Sequence, residues 1–312
     1  MSSVPRSHYA ARATTHDIQV APPYRLDLTV SALRRMATNL VDIYTSDGRY
    51  LRALGGFAEP VIVSVTQPRD DALAVSVSGS SGDTKRALAS VRRMLGTERD
   101  LSDFHRHARA IPWLAPLARR MRGLKPPRYP ALFEACANAI VFQQVSLQAA
   151  SAIMRRLILA LGTKIERDGV PLAVFPSVEG FLSADDAVIR AAGLSTGKRA
   201  TLRRAGEAIA TGAISEAMLE ERSSPDAALL LRGIKGIGPW TAAVILLRGL
   251  GRLDMFPGND SSVAANLALV AGERVDAGSV VETLGSQRGM LYFCLLLARL
   301  EARGEIGRAS HA

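Results

Sequence analysis

The chain has 312 residues, of which 48% are hydrophobic and 22% are charged, and its formal net charge is +10. This length and balance are typical of a globular protein of two or three domains that folds without metals or disulfides. Its two cysteines, Cys136 and Cys294, exclude a disulfide framework and any site with four cysteine ligands, and both are expected to be small buried residues. No apolar run is long enough for a membrane span or a signal peptide, so we expect a cytoplasmic, nucleoid-associated protein.

The first 20 residues are polar and mixed, and we expect them to be a disordered lead-in. Residues 21–111 are expected to form a small domain. Alternation over residues 25–30 and Val- and Ile-rich segments at 60–67 and 72–78 predict strands, and residues 85–95 predict a helix. The sequence therefore predicts an antiparallel sheet with a helix packed on it.

Positive charge is concentrated at the junction that follows. Between Asp103 and Glu134 there are seven basic residues and no acidic one, namely Arg106, Arg109, Arg119, Arg120, Arg122, Lys125 and Arg128. Such a run favours a polyanion partner, and a solvated basic surface is the alternative.

From residue 112 to the end the pattern is almost entirely helical. Helices are predicted over residues 132–142, 147–161, 186–192, 196–211, 225–232, 239–249, 260–271, 276–284 and 288–303. The predicted fold class is therefore α+β, with an N-terminal antiparallel sheet domain followed by an all-helical region, 112–312, of two packed lobes.

The most informative segment is residues 231–260, which is centred on Gly236-Ile237-Gly238-Pro239. The glycines allow a sharp turn and a close approach to another surface, and Pro239 suits the first turn of the next helix. The start of that helix, with unpaired N–H groups and a positive dipole end, is suited to bind a phosphate. Residues 225–249 therefore predict a helix–hairpin–helix, with Ile234 and Ile237 packed beneath the turn.

Asp260 follows this hairpin at the start of the next predicted helix, 22 residues after Gly238. Together these features resemble the helix–hairpin–helix DNA glycosylase superfamily over residues 110–303, and they are most similar to its bacterial 3-methyladenine DNA glycosylase II branch. The segment 139–146 (AIVFQQVS) is similar to the family's loop that wedges into the minor groove. The region 175–199 also matches the family pattern.

The resemblance implies a monofunctional glycosylase that hydrolyses the N-glycosidic bond of alkylated purines, of the 3-methyladenine and 7-methylguanine type, in duplex DNA. This is base excision repair. Asp260 would be the catalytic residue, because a carboxylate stabilises an oxocarbenium-like sugar and orients the attacking water. Family members that also cut the backbone carry a lysine where this chain has Trp240, so no lyase activity is expected.

The resemblance also assigns the remaining site residues. Trp240, Phe142 and Tyr292 would form the base pocket, and Gln144 or Gln143 would fill the gap left by the flipped base. Arg288 and Lys198 would contact DNA or support the site. The residues assigned to the phosphate-binding hairpin are Ile234, Lys235, Gly236, Ile237, Gly238 and Thr241.

The chain departs from the family at three aromatic pocket positions, where it has Val244, Ser261 and about Gln287. We therefore expect a less aromatic pocket than the family's best-known one. The substrate range is left open by this difference.

No nucleotide cofactor or resident metal is expected, although the resemblance implies a monovalent cation held by main-chain carbonyls near Ile234 and Ile237. The expected partner is double-stranded DNA that contains damaged bases, bound by a monomer. Two alternatives stay open. One is the same fold acting on oxidised or deaminated bases, and the other is a non-catalytic module that binds damaged DNA.

Overall fold

The computed structural model describes residues 13–80, 82–258, 261–272 and 275–307. Its N-terminal part is a five-stranded antiparallel sheet with the strand order β1-β5-β4-β3-β2. The strands are β1 (Ala13–Gln19), β2 (Ile43–Tyr44), β3 (Tyr50–Leu54), β4 (Val61–Arg69) and β5 (Ala72–Ser78).

Two helices accompany this sheet, α1 (Leu26–Arg34) and α2 (Thr84–Leu95). Helix α2 packs on β4 and β5 through Ala87, Val91 and Met94, all of which are fully buried. The predicted strands at 60–67 and 72–78 and the predicted helix at 85–95 are confirmed.

The helical region follows, and the α+β class is confirmed. Its helices are α3 (Ser102–Ala108), α4 (Leu114–Arg120), α5 (Leu132–Val141), α6 (Leu147–Leu161), α7 (Val178–Leu182), α8 (Asp186–Ala191), α9 (Thr196–Ala210), α10 (Glu216–Glu220), α11 (Ser224–Arg232), α12 (Pro239–Ile245), α13 (Ser261–Ala271), α14 (Ala277–Leu284) and α15 (Gly289–Ala302). In the ranges that the structure describes, no helix is long and apolar enough to cross a membrane.

Two expectations about the N-terminal part are wrong. Residues 13–19, which were expected to belong to the disordered lead-in, form β1. Ile18 is the only fully buried side chain of this strand, so its sequence is mostly polar and lacks a strand pattern. Residues 25–30 begin helix α1 rather than a strand. Leu26 and Val30 face one core and Leu28 faces another, so burial on both sides masks the helical period.

The expectation that residues 112–312 are all helical is also wrong. A hairpin of β6 (Lys164–Arg167) and β7 (Val170–Ala173) lies against β3. Asp168 and Gly169 form its two-residue turn with φ of 53° and 76°, which is the geometry that an Asp-Gly pair favours between antiparallel strands. That dipeptide is the sequence signal for the hairpin.

The described residues form two large cores. One joins the sheet to α5, α6, α9, α11 and α12, and the other joins α3, α4, α13, α14 and α15. Since Leu101 and Phe104 belong to the second core, the helical packing begins near residue 101, earlier than the expected boundary at residue 112.

Candidate active site

The hairpin between α11 and α12 has the backbone that its glycines predict. Gly236 has φ +102°, and a Cβ atom there would overlap the side chain of Thr201 on α9. The space around Gly238, which precedes α12, is open. Beneath the turn, the N–H of Ile237 donates to the carbonyl of Ile234 at 3.0 Å, and both side chains are buried. Only glycine therefore fits at position 236, and the start of α12 is accessible at Gly238.

A second loop, residues 142–146 between α5 and α6, is tied to this hairpin. Gln143 Nε2 donates to Thr241 Oγ1 at 2.6 Å and to the carbonyl of Gly236 at 3.2 Å. Lys198 Nζ donates to the carbonyls of Val141 and Gln143, both at 2.8 Å, and burial lowers the pKa of this lysine. Gln143 and Lys198 therefore position the loop.

The next residue, Gln144, is not tied to the hairpin as Gln143 is. Its side chain is exposed, and its backbone is left-handed with φ 52°. It lies on the rim of the cleft described next, without a side-chain hydrogen bond to any described residue. Of the two glutamines, Gln144 is therefore the one whose side chain is free to contact a bound molecule.

The loop, the start of α12 and the helices α13 and α15 enclose a cleft of about 790 Å³. The three predicted aromatic residues, Trp240, Phe142 and Tyr292, all line it. Asp260 lies outside the described residues. It directly precedes α13, and that helix contributes Val263 and Asn266 to the cleft wall.

The cleft wall carries an arginine from the N-terminal part of the chain. Arg35, at the end of α1, is buried, and its guanidinium carbon lies 4.0 Å from the centre of the Phe142 ring. Its Nη2 donates to Tyr292 Oη at 3.2 Å. Behind this layer Arg248, fully buried, donates to the carbonyls of Ala32 and Leu33 at the end of α1.

These two guanidiniums set the electrostatics of the cleft floor. Burial opposes ionisation of Tyr292, but Arg35 and Arg248 outweigh it and lower the pKa of the phenol. The cleft floor therefore combines the Phe142 ring with the Tyr292 phenol, whose ionised form these two arginines favour.

Some predicted residues lie away from the cleft. Lys235 is an exposed residue of the turn, and its carbonyl accepts from Arg204 Nε at 3.0 Å. Arg288 does not line the cleft, and its Nε donates to the carbonyl of Gly285 at 2.6 Å, which braces the start of α15. Val244 is buried in the core and Gln287 is not a lining residue, while nothing is described for the side chain of Ser261.

The sequence analysis missed several residues of the cleft. Tyr292, Leu295, Leu296 and Arg299 recur on one face of α15, so helical spacing from Tyr292 was a usable signal for the last three. Arg35 gave no such signal, because it is more than 100 residues from the nearest motif and follows a segment predicted to be a strand.

The basic run between Asp103 and Glu134 does not line this cleft. Arg106 pairs with Asp103, Arg120 with Glu301, and Arg128 with Glu216 and Glu220. Lys125 Nζ donates to the carbonyl of Arg99 at 2.8 Å. The others, Arg109, Arg119 and Arg122, line a separate cleft of about 590 Å³ together with His105.

Comparisons with known proteins agree with this architecture. No family model matches the chain. A DNA-3-methyladenine glycosylase from Bacillus subtilis is 30% identical over 173 residues, which is 55% of this chain and 57% of that protein. A probable bifunctional transcriptional activator and DNA repair enzyme AlkA from Mycobacterium tuberculosis is 31% identical over 233 residues, 73% of this chain and 46% of that protein. The chain thus spans about half the length of these relatives.

A solved structure extends the likeness to the whole fold. The 3-methyladenine DNA glycosylase from Archaeoglobus fulgidus superposes with a TM-score of 0.74 at 24% identity, covering 91% of this chain and 98% of that one. The fold is therefore that of a DNA glycosylase. In sequence the chain is similar to proteins named as 3-methyladenine DNA glycosylase and as AlkA.

Proposed function

We propose that the protein is a monofunctional DNA glycosylase that removes alkylated purines from duplex DNA in base excision repair and acts as a monomer. One observation carries the proposal. A single cleft brings together the start of α12, the loop with Gln144 and three aromatic side chains. These are the parts needed to hold a phosphate, fill a gap in the duplex and stack on a flipped base.

The hairpin holds the DNA backbone in this proposal. The open space at Gly238 lets a phosphate approach the start of α12, where the helix dipole favours an anion. The carbonyl of Ile234 accepts one N–H and keeps a second lone pair, which suits a monovalent cation between hairpin and phosphate. Gln144 enters the stack, and Trp240 and Phe142 supply stacking surfaces for the base.

Asp260 is the proposed catalytic carboxylate. As the bond between C1′ and the base nitrogen breaks, its electron pair leaves with the base and positive charge develops on the sugar. A carboxylate stabilises that charge, and it accepts a proton from the water that attacks C1′. A cationic alkylated base leaves as a neutral molecule, so no general acid is needed.

A lyase step would need an amine that attacks the sugar. Among the described residues that line the cleft there is no lysine, and Lys198 behind the loop is held by two carbonyls. This supports hydrolysis by water. Borohydride should therefore trap no covalent complex between the protein and damaged DNA, and a trapped complex would contradict the monofunctional assignment.

The decisive experiment measures release of free base from methylated duplex DNA. Asp260→Asn should bind the DNA but release base at least about 100-fold more slowly, because about 3 kcal/mol of barrier lowering is lost. The matched control is Asp254→Asn, since Asp254 is exposed and does not line the cleft. Near-normal release by Asp260→Asn would exclude the catalytic assignment, and bound DNA without release by the wild type would favour a binding module.

A further inference from the structure

The separate cleft of about 590 Å³ lies where α3, α4 and the loop after α4 meet. It shares no lining residue with the cleft at the hairpin. Part of its lining is apolar and buried, namely Leu101, Ala108, Ala118 and Leu124. A concave site of this size with an apolar lining and a few polar groups is typical of small-molecule binding.

Four cations line this cleft from neighbouring segments. Arg109 follows α3, Arg119 lies in the last turn of α4, and Arg122 and Lys125 belong to the loop after α4. The three arginines are exposed, and their side chains form no hydrogen bond or ion pair with a described residue. Their guanidinium donors are therefore available to a bound anion.

Among the described residues that line the cleft, Asp100 is the only carboxylate. It is already engaged, because it accepts from the N–H of Ser102 at 2.9 Å and from the hydroxyl of Ser102 at 2.8 Å. These bonds lower the pKa of Asp100. One carboxylate against four cations leaves the lining with an excess of positive charge.

The loop that carries Arg122 is held by the N-terminal part of the chain. The carbonyl of Gly123 accepts from the N–H of Arg25 at 2.8 Å, and the N–H of Lys125 donates to Thr29 Oγ1 at 3.1 Å. Gly123 has φ +93°, and a Cβ atom there would overlap Arg25. A loop that is fixed in advance lowers the entropic cost of binding a ligand.

His105 also lines this cleft, and its imidazole is close enough to respond to the same charges. Burial lowers the pKa of His105, and Arg122, Lys125 and Arg109 lower it further, whereas Asp100 raises it. An anion bound among these cations would offset their effect and raise that pKa. His105 is therefore a local reporter of anion binding.

We propose that this cleft binds a nucleotide that carries more than one phosphate group. The planar guanidiniums of Arg109, Arg119 and Arg122 donate to the phosphate oxygens, and the sugar and base pack on the apolar lining. An acidic peptide offers carboxylates in place of phosphates, and inorganic pyrophosphate has nothing to cover the apolar lining. The proposal does not depend on the glycosylase function, because the two clefts are lined by different residues.

Calorimetric titration of the full chain with ADP tests the proposal. Replacing Arg109, Arg119 and Arg122 together by Gln should weaken ADP binding at least about 100-fold, since each hydrogen bond between charged groups contributes about tenfold or more. Thermal unfolding should be unchanged, because all three side chains are exposed. Full ADP affinity in this folded variant would overturn the proposal.

The matched control replaces Arg92, Arg190 and Arg303 by Gln. These arginines are exposed and line neither cleft, so the control removes the same charge from elsewhere on the surface. Its affinity for ADP should stay within about threefold of the wild type, because salt screens distant exposed charges. An equal loss in the two triple variants would overturn the proposal, since it would show attraction to net charge alone.

Three other probes separate the parts of the ligand. Pyrophosphate, adenosine and a hexaglutamate peptide should each bind at least about tenfold more weakly than ADP, because each lacks one part of it. Equal affinity for pyrophosphate and ADP would overturn the nucleotide assignment, because the apolar lining would then contribute nothing. Tighter binding of hexaglutamate would overturn it in favour of an acidic protein segment.

NMR titration of the histidines locates the bound ADP. The His105 resonance is identified by its loss in His105→Gln, and the pKa of His105 should rise when ADP is bound. An unchanged pKa at saturating ADP would overturn the proposal, because it would place the ligand elsewhere.

Discussion

Gly236 positions the hairpin because glycine has no Cβ atom. Its φ of +102° and the absence of a Cβ let the turn lie directly against Thr201 on α9. Gln143 then donates to the Gly236 carbonyl, so the same residue also fixes the loop that carries Gln144. Gly238 differs, because the space beside it is open and its φ of −88° suits any residue.

Gly236→Ala should therefore lower both stability and DNA affinity. Left-handed strain alone costs about 1 kcal/mol or more, and the overlap with Thr201 forces the turn to move. We expect a Tm lower by several degrees, measured by thermal unfolding, and at least tenfold weaker binding of duplex DNA.

Gly238→Ala is the control for this prediction. It should keep the wild-type Tm but weaken DNA binding, because the added methyl group lies where the phosphate approaches. Equal Tm values for Gly236→Ala and the wild type would contradict the tight contact with Thr201.

At the scale of elements, α3 and α4 carry a basic surface that is separate from the cleft. Arg109, Arg119 and Arg122 line the second cleft with His105, and none of them forms an ion pair with a described residue. Burial, together with the neighbouring cations Arg122, Lys125 and Arg109, lowers the pKa of His105. The basic run is thus not a continuation of the hairpin surface.

Replacing Arg109, Arg119 and Arg122 together by Gln should leave duplex affinity within about twofold of the wild type, and the salt dependence of binding should stay the same. The reason is that none of the three lines the cleft at the hairpin. Titrations at several salt concentrations measure both quantities.

Lys235→Gln provides the contrast, because Lys235 is exposed in the hairpin turn itself. It should weaken binding and reduce the salt slope by about one. A large loss of affinity in the triple variant would mean that DNA also contacts α3 and α4.

At the scale of the whole molecule, a buried ionic group joins the sheet to the helical region. Arg52 on β3 pairs with Asp42 at 2.5 Å and with Glu134 on α5 at 2.6 Å, and all three side chains are buried. Tyr50 also donates to Asp42 at 2.8 Å. Because Glu134 lies two turns before the loop with Gln144, this group fixes the cleft relative to the sheet.

Glu134→Gln should lower the free energy of unfolding by about 3 kcal/mol, since it removes one carboxylate from a buried arginine. Denaturant unfolding measures this directly. Asp103→Asn breaks the exposed pair with Arg106 and should have no measurable effect. A similarly small effect of Glu134→Gln would mean that Asp42 alone neutralises Arg52.

Features with a local signal could be predicted from sequence, and those that depend on distant packing could not. The hairpin was predictable, because Gly236, Gly238 and Pro239 constrain their own backbone. Helix α1 was not, because two cores bury opposite sides of it. Arg35 likewise reaches the cleft only because α1 packs beside α15. The role of Asp260 stays a prediction.

The lining of the cleft comes from distant parts of the chain. The hairpin and the glutamine loop belong to the helical region, whereas Arg35 is contributed by α1, which Arg248 anchors through two main-chain carbonyls. The cleft is therefore complete only when α1 is packed beside the helical region. Because the sheet shares a buried core with α5 and α12, a foreign sheet domain would also disturb the helices that carry the loop and the hairpin.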